Sequence, residues 1–178
     1  MRTLYLFRHA KSDWDDPSLD DYDRPLAPRG RRAAPAMGRW MAAAGVAPDL
    51  VLCSTAARAQ QTALLAFEAA AWPPRVIYRP ALYLTDSERI LSIIQAEGGP
   101  TASIMVIGHN PGLHDLALRL SAGEESGARD QIADKFPTAA LATIQFGAAS
   151  WMAVGAQAGR LTQFQTPRNL PEYEDFRA

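Results

Sequence analysis

Short apolar runs alternate along this chain with stretches whose apolar positions recur at helical spacing. Thr3 to Arg8 (TLYLFR) is rich in strand formers and reads as a buried first strand. From Lys11 to Arg24 the sequence turns polar, with Asp13, Asp15, Asp16, Asp20, Asp21 and Asp23 beside Pro17 and Pro25, and this predicts a solvated loop. Pro28 is placed to open a helix in which Ala33, Met37, Trp40, Met41 and Ala44 share a face before Gly45 stops it. Pro35 interrupts that pattern and predicts a kink or a later start. Asp49 to Cys53 is a second strand, followed by a helix from about Ala56 to Ala70, and Arg75 to Arg79 is a third, shorter strand.

Asp86 or Ser87 can cap the next helix, whose buried face is Ile90, Leu91, Ile93 and Ile94. Ala102 to Gly108 is a fourth strand, and Asn110-Pro111 reads as cap and first residue of a helix carrying Leu113, Leu116, Ala117 and Leu120. Ser121 to Lys135 reads as a mobile polar loop. Thr138 to Phe146 and Arg160 to Gln165 complete the strands as an antiparallel pair. Strand and helix alternate through the first two-thirds of the chain. The expectation is one α/β domain over residues 1–178: three layers, α/β/α, around a mostly parallel central sheet with an antiparallel edge strand.

Composition narrows this picture. With 178 residues, 48% hydrophobic and 21% charged, the chain can bury a substantial core. A net charge of -1 gives no global reason to bind nucleic acid or an acidic membrane, so any anion site must be a local cluster of arginines. The single cysteine, Cys53, excludes an internal disulfide and reads as a small buried hydrophobe. No stretch has the pattern of a signal peptide or a membrane span, and the expected location is the cytoplasm.

Ligand sites of parallel sheets form beyond the carboxyl ends of the strands. Three such ends carry anion-binding chemistry: Arg8-His9 after the first strand, Ser54 with Arg58 after the second, and His109-Asn110 after the fourth. Neutral imidazole is a nitrogen nucleophile able to form a covalent bond to phosphorus. Arginine presents a planar fork of donors matched to phosphate oxygens. Taken singly, Arg8-His9 has a plainer reading as a loop pair, Arg58 as a solvated helix residue and His109 as part of a turn. Together they converge on one sheet edge. His114, inside the following helix, is assigned no role. The loop carboxylates lack an ordered ligand pattern, so no metal and no cofactor is expected.

Arg8-His9-Ala10-Lys11-Ser12 with Trp14 resembles the signature of the histidine phosphatase superfamily, in the form typical of SixA-type phosphohistidine phosphatases. Leu26 with Arg29-Gly30, the run Ser54 to Thr62 (STAARAQQT), Gly108 to Gly112 (GHNPG) and Phe136-Pro137-Thr138 resemble the family's later motifs in order, from residue 3 to about 166. The resemblance implies that His9 is the nucleophile that becomes phosphorylated and that Arg8, Arg58 and His109 surround the phosphate. Ser12 is a further phosphate donor on the same grounds. Ala10 stands where the wider superfamily has Gly. The segment Pro80 to Glu88 shows no clear match to the acidic proton donor of many members, leaving Asp86 as a candidate general acid.

The expected activity is hydrolysis of phosphohistidine or of a related phosphomonoester, on a phosphorylated protein or a small molecule, without metal. A broad phosphomonoesterase or mutase on the same scaffold, and a non-catalytic phosphate-binding module, are the alternatives. Oligomeric state is left open. The short chain, with no obvious lid, predicts an open mouth.

Overall fold

In the computed structural model, which describes residues 1–122 and 127–175, six strands form one sheet in the order β3-β2-β4-β1-β5-β6. The strands are β1 (Arg2–Arg8), β2 (Leu50–Ser54), β3 (Val76–Arg79), β4 (Ser103–Gly108), β5 (Leu141–Phe146) and β6 (Gly159–Gln165). β1 pairs in parallel with β4, and β2 in parallel with both β3 and β4. β5 is antiparallel to β1 on one side and to β6 on the other. The antiparallel pairs therefore gather at one edge, and β5 alone runs against the other strands.

Alternation along the strands explains the layers. Leu4, Leu6, Leu50, Leu52, Ile104 and Val106 face a cluster with α3 (Ser87–Glu97), α4 (Gly112–Leu120) and α5 (Gly127–Asp134). Phe7, Val51, Cys53, Met105 and Ile107 face the opposite cluster, with α1 (Pro28–Ala43) and α2 (Ala57–Ala69). Both faces are apolar because both are covered, as parallel sheets require.

α1 runs unbroken through Pro35 from Pro28, and ends before Gly45 at φ +68°. An internal proline costs about 3 kcal/mol. Burial of Ala33, Ala34, Ala36, Met37 and Met41 against the sheet opposes that cost. Gly30 permits a close approach: a Cβ there would stand 2.1 Å from the carbonyl oxygen of Lys11, so α1 packs directly on the chain leaving the first strand.

Three expectations are corrected. The segment expected as a loop from Ser121 to Lys135 contains helix α5, which Ile132 anchors in the core while Asp130, Gln131 and Asp134 are exposed; residues 123–126 of that segment lie outside the described residues. The strand expected from Thr138 begins at Leu141, because Pro137 to Ala140 form a hydrogen-bonded turn with Ala139 at φ +59°. Asn110 and Pro111 precede α4 and do not open it as cap and first residue: their peptide bond is cis, Pro111 is the capping position, and Asn110 donates its side-chain amide to the carbonyl of Phe136 at 2.9 Å. No helix among the described residues is long and apolar enough to cross a membrane.

Candidate active site

Beyond the carboxyl ends of β1, β2 and β4, the sheet brings His9, Arg58 and His109 into mutual contact. His9 follows the last residue of β1, and its backbone N–H donates to Gly108 at the end of β4. Its Nδ1 lies 2.7 Å from the carbonyl oxygen of Ala10. A carbonyl only accepts, so Nδ1 carries the proton and Nε2 presents a lone pair. The Nε of Arg58 donates toward that Nε2 at 3.4 Å.

The same reasoning fixes His109. An Arg58 terminal nitrogen stands 3.3 Å from its Nδ1, and guanidinium nitrogens only donate, so Nδ1 accepts. Its Nε2 then donates to Ser54 Oγ at 2.8 Å. The two imidazole centroids are 5.0 Å apart. Burial, opposed by the Ala10 bond and reinforced by His109, Arg58 and Arg8, pushes the His9 pKa down to about 3. Burial and Arg58, with Arg8 and against Asp21, lower that of His109 to about 4. Both rings are neutral near pH 7.

Arg8 donates to the carbonyl of Phe136 at 2.8 Å, sharing that acceptor with Asn110. Its Nε is buried with no partner, as is Oδ1 of Asn110. Burial and then the charge of Arg58 hold the Arg8 pKa below the usual guanidinium range. Arg8 thus belongs to the same electrostatic cluster as the two histidines and Arg58.

The acidic loop is not simply solvated. Residues Asp21–Asp23 form a turn of 3-10 helix, and Asp21 reaches the site. Arg58 donates to its backbone carbonyl and, at 3.0 Å, to its Oδ2. Tyr83 donates to the same Oδ2 at 2.6 Å, and Arg24 holds Oδ1 at 2.8 and 3.0 Å. Trp14 stacks 3.3 Å from the Arg24 guanidinium carbon, and Tyr83 packs edge-on against His109. Burial would raise the Asp21 pKa, but bonds from Tyr83 and Arg24 and the charge of Arg58 outweigh it and lower it to about 2. The mouth expected to be open is therefore covered on one side by this loop, with His9 and His109 7% and 3% exposed.

Asp21, Arg24 and Tyr83 were not singled out by the sequence. The Asp21/Arg24 spacing is the one local signal, and five similar aspartates in the same loop obscure it. Thr62 was quoted only as part of a motif. It accepts from Ala10 N–H at 2.9 Å and donates to the Arg58 carbonyl at 2.7 Å, tying the loop after β1 to α2.

The remaining expectations separate. Ser12 is buried in an isolated antiparallel bridge with Leu26, and no hydrogen bond joins its side chain to the four site residues. Asp86 is exposed and caps α3 through the N–H of Arg89 at 2.8 Å; the carboxylate present in the site is Asp21. His114 bonds the carbonyl of Ile132, a structural contact. Cys53 is fully buried and burial pushes its thiol up to about 12. Among the described residues no group of three His, Cys, Asp or Glu side chains is arranged to hold a metal ion.

Known proteins resemble both sequence and fold. The family model of the histidine phosphatase superfamily, branch 1, matches residues 4–83. An uncharacterized protein of Mycobacterium tuberculosis is 38% identical over 163 residues, which is 90% of this chain and 99% of that protein. A protein assigned as phosphohistidine phosphatase SixA from Nakamurella multipartitia superposes with a TM-score of 0.79 at 34% identity, covering 93% of this chain and 96% of that one. Its counterpart from Agrobacterium tumefaciens gives 0.75 at 30% identity, covering 93% and 98%. With the strand-end histidines, Arg58 and the parallel sheet on one scaffold, this chain belongs to the histidine phosphatase superfamily.

Proposed function

We propose that this phosphatase hydrolyses phosphohistidine through a covalent phosphoryl-His9 intermediate, with Arg8, Arg58 and His109 around the transferred group. The observation that carries the reading is the orientation of His9. Its proton is held on Nδ1 by Ala10, leaving Nε2 as the nucleophile beside Arg58. Attack by Nε2 on phosphorus forms the new P–N bond as the substrate's P–N bond breaks, and the product is a phosphoimidazolium that keeps its Nδ1 proton. Water then attacks phosphorus on the opposite side, and His9 leaves as neutral imidazole without any proton moving on Nδ1. The water's proton passes to the phosphate released. Arg8 and Arg58 supply fixed positive donors to the equatorial oxygens.

The preference for phosphorus–nitrogen bonds follows from what stands near the site. An alkoxide leaving group needs a positioned acid. Asp21 is ionised and already committed to Arg58, Tyr83 and Arg24, and Asp86 caps a helix. The imidazole of phosphohistidine instead arrives protonated near neutral pH and leaves as a neutral base. The neighbours from Nakamurella and Agrobacterium, assigned as phosphohistidine phosphatases, support the same substrate class.

The test is twofold. Rapid acid quench during turnover should trap phosphate on His9, and His9→Gln should lose at least about a thousandfold in turnover while folding normally. The specificity constant for a phosphohistidine peptide should exceed that for a simple alkyl phosphate. An active His9→Gln enzyme overturns the mechanism; an ester that wins overturns the substrate class.

A further inference from the structure

A second concavity, of about 470 Å³, opens beside the active site toward the β6 edge of the sheet. Its position follows from the strand register. Phe7 of β1 is level with Leu141 of β5, which is level with Gln165 at the end of β6. The pocket lies beyond this same carboxyl edge, lined by Lys11, two residues after His9, and by Pro137 and Thr138, next to the Phe136 carbonyl that holds Arg8. Site and pocket thus share a wall.

The lining carries four bases, Lys11, Arg29, Lys135 and Arg168, against one acid, Asp134. All four bases are exposed, and none forms an ion pair with a described residue. Buried Ala33, Phe164 and Pro167 give the pocket an apolar floor. In a chain of net charge -1, this is a local positive excess, four bases to one acid. Unpaired cations converging on a concavity fit an anionic partner and set its orientation and rate of encounter.

We propose that this pocket receives acidic side chains of the phosphoprotein that delivers phosphohistidine to His9. The inference rests on the phosphohistidine reading above. The reach is suitable: extended chain advances about 3.3 Å per residue, so an Asp or Glu two to four residues from the phosphohistidine lies about 7–13 Å away. Lys11, two residues from His9, can be no more than about 7 Å from it along the backbone. Anchoring at a distance from the reacting bond supplies binding energy and register to a substrate whose phosphoryl group is small and common to many proteins.

The experiment compares phosphohistidine peptides whose flanks carry Glu or Lys, with phosphoramidate as the small reference substrate. KM should be about tenfold lower for the Glu-flanked peptide, and rising salt should erase the difference. In the double variant Lys135→Glu, Arg168→Glu, the ratio of specificity constants for the Glu-flanked peptide over phosphoramidate should fall about tenfold or more, with the Lys-flanked peptide now preferred. Indifference to flank charge, or a preference that survives in the double variant, overturns the proposal. Should no phosphopeptide be hydrolysed, the reading of the active site fails separately. The pocket is then read by fluorescence titration of a Glu-rich peptide lacking phosphate: saturable binding lost in the double variant upholds it, and no binding overturns it. Inorganic phosphate bound at Lys135 and Arg168 with no peptide discrimination would mark a small-anion site and overturn the choice of partner.

Discussion

A histidine nucleophile must be unprotonated, while the group it attacks calls for a cationic surround. His9 meets both demands because burial and its cationic neighbours drive its own proton affinity down to about 3, and the Ala10 carbonyl decides which nitrogen stays bare. Arg58 does the opposite work, touching His9, His109 and Asp21 from one planar group. A lysine there keeps the charge but has a single donor point and cannot reach three partners from a plane. Arg58→Lys should therefore lose about ten- to a hundredfold in turnover, the cost of about 1.5–3 kcal/mol of charge-assisted bonding. Parent-like kinetics in that variant would remove Arg58 from the chemistry. Since arginines supply the positive charge, turnover should also survive exhaustive chelation; recovery only on adding a divalent ion would contradict this.

Among the elements, the joint between β1 and α2 matters most to the site. Thr62 accepts the N–H of fully buried Ala10, the residue whose carbonyl orients His9, and donates to the carbonyl of Arg58. Thr62→Val keeps the shape and strands the Ala10 N–H, an omission worth about 1–3 kcal/mol. Urea denaturation should show that loss, turnover should fall with it, and Thr62→Ser should restore both; a Val variant unchanged in each would show the joint to be dispensable. The strands β1 to β4 and the helices α2 and α3 were legible because apolar period and punctuation agree in them, whereas Pro35 spoke against the unbroken α1 that forms. The helix α5 was not, since Ile132 is its one buried residue and eight residues give little periodicity to read. The histidines and arginines were legible by residue type at strand ends. Asp21 was not, because its partners Arg58 and Tyr83 are distant in sequence and meet it only when the sheet closes.

For the molecule as a whole, the active site imposes an acid-side cost on folding. His9 and His109 have native pKa values of about 3 and 4 against 6.5 in the ordinary state. Above pH 6.5 neither the folded nor the unfolded chain protonates these rings, and they contribute no slope. As pH falls below 6.5 the unfolded chain binds protons that the native site refuses, so the unfolded state is favoured. The slope is at most about 1.4 kcal/mol per pH unit for each histidine, and it flattens once the native rings protonate near 4 and 3. Asp21 acts in a lower window. Its native pKa of about 2 lies below the ordinary 3.8, so its contribution is present above 3.8 and fades as pH drops toward 2. The two windows can be separated by measuring urea stability at pH 7, 6 and 5, where only the histidines matter. The parent should weaken steadily across that range, and His9→Gln, which removes one refused proton, should weaken less. Parallel curves for parent and variant would mean that His9 is protonated as readily in the native site as in the unfolded chain, and its standing as a permanently neutral nucleophile would fall with them.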